Sequence, residues 1–275
     1  MATSGSQSVP ADLFEFDSKE PWAPDTFMLV PLESSQVLVP EHAAILGAQA
    51  FLKIARLPFK VRECHNSSDI SPNGKLPVIK CGAYVVSELD GIVSLAQAKG
   101  MSITEYLNAA ERADLRAYMS LVHNVLGNAL LYFTWLDEDV YNKYTKQRVG
   151  SPYNFPLKYL LPWTLRRKVK SQLNALKWGY RTTEEVYREV ETCLLALSER
   201  LGESDYFFGS TPTELDALVF GYLFTMLTHP LHNHSQFSNI IRHHPNLTKF
   251  CKRIDQDFFE EQQPESSSSS GGRLE

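Results

Sequence analysis

The chain has 275 residues, of which 43% are apolar and 21% are charged, and its formal net charge is −5 at pH 7. This is the composition of a globular protein with a sizeable core, and the net negative charge argues against a general nucleic-acid-binding role. The four cysteines are widely spaced and form no CxxC pair, which excludes a disulfide scaffold and a zinc ribbon and suits a reducing compartment.

The N-terminal region and the apolar stretches bear on membrane attachment. Residues 1–20 are polar and predicted to be flexible, and they resemble neither a secretory signal nor an Arg-rich, acid-poor presequence. The longest apolar stretch, 217–227, falls short of the ~18 residues that a spanning helix needs. We therefore expect any membrane contact to be made from the cytosolic side, by the surface or through a partner.

Residues 21–100 are predicted to form a small α/β unit, because short strands alternate with amphipathic helices. The predicted elements in chain order are a strand at 27–30, a helix at 41–56, a strand in which Phe59 and Val61 alternate, a turn at 71–74, a hairpin of strands 76–79 and 84–86, and a helix at 88–99 that Gly100 ends.

Residues 101–261 are predicted to be an all-helical domain. Capping boxes at 102–105, 182–185 and 213–216 indicate helix starts, and the third opens a helix that is apolar nearly all round. Three prolines are predicted to break the stretch between the first two boxes into short pieces: Pro152, Pro156 and Pro162. The Ser- and Gly-rich residues 262–275 are predicted to be a disordered tail.

Charge is unevenly distributed along the chain. Residues 140–183 contain ten basic side chains and no acidic one, interleaved with aromatic residues. Such a mixture suits an anionic headgroup surface or an acidic partner, and the alternative is a solvated face that neutralises acidic helices of the same fold. The candidate contact residues in this segment are Trp163, Arg166, Arg167, Lys168, Lys170 and Trp178.

An α/β unit followed by an all-helical domain resembles the glutathione S-transferase fold, an α+β fold whose first domain is thioredoxin-like. Gly74–Ile79 resembles the loop that carries the cis-proline of this fold, which would be Pro77, and Val86–Ile92, with Glu88, resembles the segment after the hairpin. Thr213 and Asp216 resemble the cap of the central helix.

Three separated motifs are similar to one branch of this fold, the metaxins: Gly150–Leu157, Lys177–Gly179 and Pro212–Gly221. The resemblance implies a non-enzymatic, peripheral protein on the cytosolic face of the mitochondrial outer membrane. It implies a role in importing and assembling β-barrel proteins, with the β-barrel assembly subunit as a partner. It also implies that a member without a spanning helix is held there by metaxin 1.

A glutathione-dependent transferase is the enzymatic alternative. It would need a hydroxyl or thiol after the first strand, where Ser34 and Ser35 are the candidates, although serine in a loop mainly serves turns. In this fold an acid–hydroxyl pair holds the γ-glutamyl end of glutathione. This sequence has Glu88 and Leu89 at those two positions, and leucine leaves the charged end without a donor. We therefore expect Glu88 to cap the first turn of its helix instead.

The remaining candidates for chemistry are histidines and cysteines. His229, His232 and His234 lie close together, with His243 and His244 nearby, but the spacing is not that of a helical ligand pair, and a polar loop is the preferred interpretation. Cys193 and Cys251 are predicted to be buried in helices. We expect no catalytic residue, cofactor or metal, and the third hypothesis is a protein that binds an anionic lipid surface directly.

Overall fold

The computed structural model describes residues 21–31, 37–64, 70–229 and 234–260. The predicted flexible N-terminus at 1–20 and the predicted tail at 262–275 lie outside these residues, as do Ser34 and Ser35. The predicted division at residue 100 falls in the turn after the second helix, where Gly100 adopts a positive φ of 72°. The assignment of two domains stays a prediction.

The N-terminal unit is built on a four-stranded mixed sheet. Its strands are β1 (Phe27–Pro31), β2 (Lys60–Cys64), β3 (Val78–Cys81) and β4 (Tyr84–Ser87), in the order β2-β1-β3-β4. Strand β1 runs parallel to β2 and antiparallel to β3, and the hairpin β3–β4 is antiparallel. Helix α1 (Val39–Ile54) connects β1 to β2, and α2 (Glu88–Ala98) follows β4.

Burial explains why the sequence pattern predicts α1 better than β2. The apolar residues of α1 recur at helical spacing, so Ala48, Phe51 and Leu52 are all buried. Strand β2 begins one residue after Phe59 and forms an edge of the sheet, and Val61 is half exposed. The apolar alternation therefore does not mark a buried face there, since an edge strand can leave both faces open to water.

The rest of the described chain is helical. The helices are α3 (Ala109–Val122), α4 (Asn128–Trp135), α5 (Glu138–Val140), α6 (Lys146–Gly150), α7 (Leu157–Ala175), α8 (Thr183–Leu201), α9 (Glu214–Thr228), α10 (His234–Arg242) and α11 (Pro245–Phe258). Single π-helical turns at His123–Gly127 and Tyr141–Thr145 join α3 to α4 and α5 to α6. Helix α9 is buried nearly all round and packs on α1, α3, α10 and α11, so it forms the centre of the fold.

Two local predictions in the helical region are wrong. The capping box at 102–105 starts no helix, because the cap that forms is six residues further on: Asn108 Oδ1 accepts from Glu111 N, and Glu111 Oε2 accepts from Asn108 N, both at 2.9 Å. Pro162 does not break the chain but lies inside α7, near its start. Pro162 has no N–H with which to donate to the carbonyl of Lys158, four residues earlier in the helix. This carbonyl faces Gly150 of α6.

Candidate interaction surface and ligand pocket

One edge of the sheet-containing unit is formed where β3 and α2 begin. The Leu76–Pro77 peptide bond is cis, and Glu88 N donates to the Pro77 carbonyl at 3.0 Å. Glu88 has a φ of 61°, a conformation that non-glycine residues adopt only where their surroundings hold them. The hydrogen bond between Glu88 N and the Pro77 carbonyl thus fixes the backbone conformation where β3 and α2 begin.

The side chain of Glu88 is engaged within the protein. Its two carboxylate oxygens accept from Asn73 Nδ2 and Lys75 Nζ, each at 2.7 Å. Glu88 lies in the first turn of α2, but the predicted cap does not form, because these loop residues are the partners of its carboxylate. The following residue, Leu89, is buried in the core. The residue after Glu88 therefore offers no hydroxyl, and the hydroxyl of the preceding Ser87 donates to Asn73 Oδ1 at 2.9 Å.

The four cysteines are free thiols. Cys193 and Cys251 are buried in α8 and α11, which confirms the prediction, and Cys81 is also buried. Burial raises the pKa of Cys193 to about 12 and that of Cys251 further above its usual value. Because the thiolate is the nucleophile, a raised pKa disfavours a nucleophilic role for these two thiols.

Two histidines meet at the junction between α1 and the end of α9. The rings of His42 and His229 pack edge to face with centroids 5.3 Å apart, and His42 Nδ1 lies 3.0 Å from Thr225 Oγ1. Burial lowers the pKa of His42. His232 lies outside the described residues, and within the described part of the chain no three metal-ligating side chains are grouped to hold an ion.

Thr213 and Asp216 fix the start of the central helix. Asp216 accepts from Thr213 N and Thr213 Oγ1, both at 2.7 Å, and from Phe207 N at 3.0 Å. The carboxyl is fully buried, and desolvation raises its pKa to about 6 although these hydrogen bonds oppose the shift. This pair ties the loop before α9 to the first turn of the helix.

The basic segment divides into structural and exposed members. Arg166 is structural: its Nε donates to the Trp135 carbonyl at 2.9 Å, its guanidinium lies 4.0 Å from the centre of the Tyr141 ring, and it pairs with Glu138, whose pKa it lowers. Arg166 therefore holds α7 against α4 and α5.

Trp178 does not belong to an exposed surface. It is 6% exposed, and the Arg181 guanidinium lies 4.4 Å from its ring while pairing with Glu189 of α8. The prediction that Trp178 is a contact residue is therefore wrong, because its side chain is buried. A tryptophan within a basic stretch can equally serve the core, and the sequence pattern does not distinguish the two cases.

The remaining named cations point to solvent. Arg167, Lys168 and Lys170 are exposed, and none forms a salt bridge with a described residue. The Arg167 guanidinium lies 5.8 Å from the centre of the Trp163 ring. Three cations of the basic segment do form salt bridges with acidic side chains, as the alternative of internal neutralisation predicts: Lys143, Arg166 and Arg181.

Large apolar side chains beside these cations are also exposed. Phe155 is 84% exposed and Trp163 is 55% exposed. We call the following set the apolar–basic face: Phe155, Leu157, Tyr159, Leu160, Trp163, Arg167, Lys168 and Lys170. Part of it lines an open groove of about 540 Å³ together with Tyr141, Lys146 and Arg166. Sequence reasoning singled out the aromatic members but missed Leu157 and Leu160.

None of the helices in the described ranges combines the length and the apolar character needed to cross a bilayer.

Comparison with known proteins identifies relatives over most of the chain. A family model described as outer mitochondrial membrane transport complex protein (Tom37) matches residues 46–166, and a glutathione S-transferase C-terminal domain model matches residues 190–254. The chain is 42% identical to human Metaxin-2 over 92% of its own length and 97% of that protein. It is 30% identical to human Metaxin-1 over 76% of its length, which spans 46% of Metaxin-1.

Solved structures support the fold. A glutathione transferase from Phanerochaete chrysosporium superposes with a TM-score of 0.55, covering 84% of this chain and 96% of that one at 14% sequence identity. At this level of identity the likeness shows the fold alone, an α+β fold of the glutathione S-transferase type, as predicted.

Proposed function

The chain belongs to the metaxin family, and from that premise we propose that it is a non-enzymatic subunit of the mitochondrial outer-membrane machinery that imports proteins and assembles β-barrels. In this proposal it lies on the cytosolic face of the membrane as a peripheral protein and acts as an adaptor. It binds metaxin 1 and the subunit that assembles β-barrels, and its work is equilibrium binding without a covalent step.

The observation that carries the proposal is the similarity to human Metaxin-2, which extends over nearly the full length of both chains. The match to a family described by its outer mitochondrial membrane transport complex supports a role in mitochondrial protein import. The geometry supports binding rather than catalysis, because the exposed apolar–basic face is the kind of surface that marks an interaction site.

Co-expression with metaxin 1 tests the partner. Metaxin 1 is expressed in membranes with the tagged chain, the membranes are solubilised in a mild detergent, and the extract is separated by size exclusion. We expect the two proteins to co-elute in one peak. A glutathione transferase carrying the same tag is the matched control for the fold. The proposal fails if the chain elutes alone, or if the control co-elutes equally.

A glutathione-dependent transferase remains the enzymatic alternative, because solved glutathione transferases share the fold. Two features of the described residues weigh against it: both oxygens of Glu88 are engaged by Asn73 and Lys75, and Leu89 replaces a hydroxyl donor. We expect no conjugation of glutathione to chlorodinitrobenzene above the uncatalysed rate. Turnover that scales with protein concentration would revive the alternative.

A further inference from the structure

The apolar–basic face has an ordered layout along α7. Tyr159 and Trp163 are four residues apart, and Lys170 is seven residues further on, so all three lie on one side of the helix. Leu160 and Arg167 form a parallel row on the same side. The apolar members thus occupy the first turns of a helix about 28 Å long, and the cations follow in the next turns.

This exposed side is not a displaced part of the core. The opposite side of α7 already carries the packing, since Pro162 and Leu173 are buried and Leu165 and Val169 pack against the cluster of Leu38, Trp135 and Tyr141. Arg166 also fixes the rotation of the helix through Glu138 and the Trp135 carbonyl. The apolar members of the face therefore cannot turn inward without breaking these contacts.

The segment that carries the face is positively charged along the sequence. No acidic residue occurs between 140 and 183, and Arg167, Lys168 and Lys170 have no salt-bridge partner among the described residues. Lys170 lies within electrostatic range of Glu138, which pairs with Arg166, so only part of the positive charge beside the apolar side chains is balanced within the described residues. A surface of this composition complements one that is negatively charged outside and apolar beneath.

We propose that the apolar–basic face binds an anionic lipid bilayer directly, with α7 lying along the membrane surface. Phe155, Leu157, Leu160 and Trp163 insert among the upper acyl chains, and Arg167, Lys168 and Lys170 contact the headgroups. This arrangement follows the rule for interfacial helices, in which aromatic and apolar side chains enter the boundary and cations meet anionic lipids.

A bilayer fits the face better than an acidic protein does. Phe155 is 84% exposed although it lines the open groove with Tyr159 and Trp163. Acyl chains can close around a protruding side chain of any shape, whereas a protein partner would need a pocket matched to it. The proposal goes beyond the function proposed above, since that function requires only attachment through metaxin 1.

Vesicle flotation of the purified full chain, without any partner protein, tests the inference. The vesicles are phosphatidylcholine alone and phosphatidylcholine with a quarter of phosphatidylserine. We expect flotation with the anionic vesicles only, and a marked loss between about 0.1 M and about 1 M salt, where the Debye length falls from about 10 Å to about 3 Å.

Charge reversal then assigns the surface. Arg167→Glu/Lys168→Glu/Lys170→Glu is expected to lower partitioning by about 100-fold or more, because each cation near an anionic surface contributes about fivefold and the three contributions multiply. Arg166 is left intact because it is structural. The matched control, Lys60→Glu/Lys249→Glu/Lys252→Glu, makes the same charge change at three exposed lysines elsewhere and is expected to keep more of the binding.

A second pair of variants tests insertion of the apolar side chains. Leu157→Ala/Leu160→Ala should weaken flotation by about tenfold. The control Val61→Ala/Leu195→Ala should leave it unchanged, although all four side chains are about half exposed. Circular dichroism confirms that the variants fold.

Three outcomes would overturn the inference: no flotation of the wild type, equal loss in the test and control reversals, or no effect of the leucine pair. If the triple reversal floats normally but no longer co-elutes with metaxin 1, the face binds protein instead. Failure of flotation with intact co-elution leaves the proposed adaptor function standing, so the two proposals fail separately.

Discussion

Gly47 of α1 and Gly221 of α9 meet with almost no space between their backbones. A Cβ placed on Gly221 would lie 2.7 Å from the Cα of Gly47 and 2.5 Å from the carbonyl oxygen of Ala43. Real Cβ contacts are not this short, so glycine at position 221 is what lets the two helices approach. Since α1 belongs to the sheet-containing unit and α9 is the central helix, this contact joins the two parts of the fold.

Gly221→Ala is therefore expected to lower the free energy of unfolding by about 1–3 kcal/mol, the usual cost of overpacking in a close-packed core. Urea denaturation followed by circular dichroism measures the change. Gly91→Ala is the matched control, because its Cβ would meet only Val86 at 3.7 Å. This control lies within α2 and should be neutral or stabilising by up to about 1 kcal/mol. Equal destabilisation by both substitutions would contradict the packing argument.

The sequence predicts the order and type of the elements well, because local signals determine them. The box at Thr182 and Glu185 caps α8, and Gly202 follows its end, as predicted. Contacts between helices that are distant in the chain depend on non-local packing, which local sequence patterns do not indicate. The contact between Gly47 and Gly221 joins residues that are far apart in the chain, and no local pattern indicates it.

A second prediction concerns pH. Burial raises the pKa of Glu41 in the first turn of α1 from 4.5 to about 7, although Leu38 N donates to its carboxylate. Because the folded-state value lies above the unfolded one, this group's contribution to stability is fully present below about pH 4.5 and is lost as the pH rises through about 7. Glu41→Gln keeps an acceptor for Leu38 N without the charge.

Glu41→Gln should therefore match the wild type near pH 4 and exceed its stability at pH 8 by up to about 3 kcal/mol. Urea denaturation at several pH values measures the difference. Glu191→Gln, at an exposed position on α8, removes the same charge and should produce no such pH-dependent gain. A constant offset between Glu41→Gln and the wild type across this range would contradict the prediction.

A third prediction separates two neighbouring arginines. Arg166→Ala removes a charge-assisted contact with Glu138 and a hydrogen bond to the Trp135 carbonyl, so we expect a loss of about 1.5–3 kcal/mol of folding stability. Arg167→Ala removes an exposed side chain and should change stability by less than about 0.5 kcal/mol. Thermal unfolding of the two variants gives the comparison, and similar losses would show that Arg166 is not structural.

The candidate surface is less predictable from sequence than the fold. The charge run at 140–183 locates the region, but Arg166 and Arg167 are adjacent and have opposite roles. The direction in which each side chain points depends on how α7 is rotated against α4 and α5. Trp178 shows the same limit, because burial against Arg181 removes it from the surface. Composition thus locates the segment, but three-dimensional packing determines which of its side chains are exposed.

The most direct test of the central claim is affinity purification of the tagged chain from gently solubilised mitochondrial membranes, with mass spectrometry of the proteins that accompany it. The account predicts recovery of a membrane-anchored metaxin 1 together with the subunit that assembles outer-membrane β-barrels. A tagged glutathione transferase of the same fold should recover neither. Recovery of the chain alone, from membranes in which metaxin 1 is present, would contradict the account.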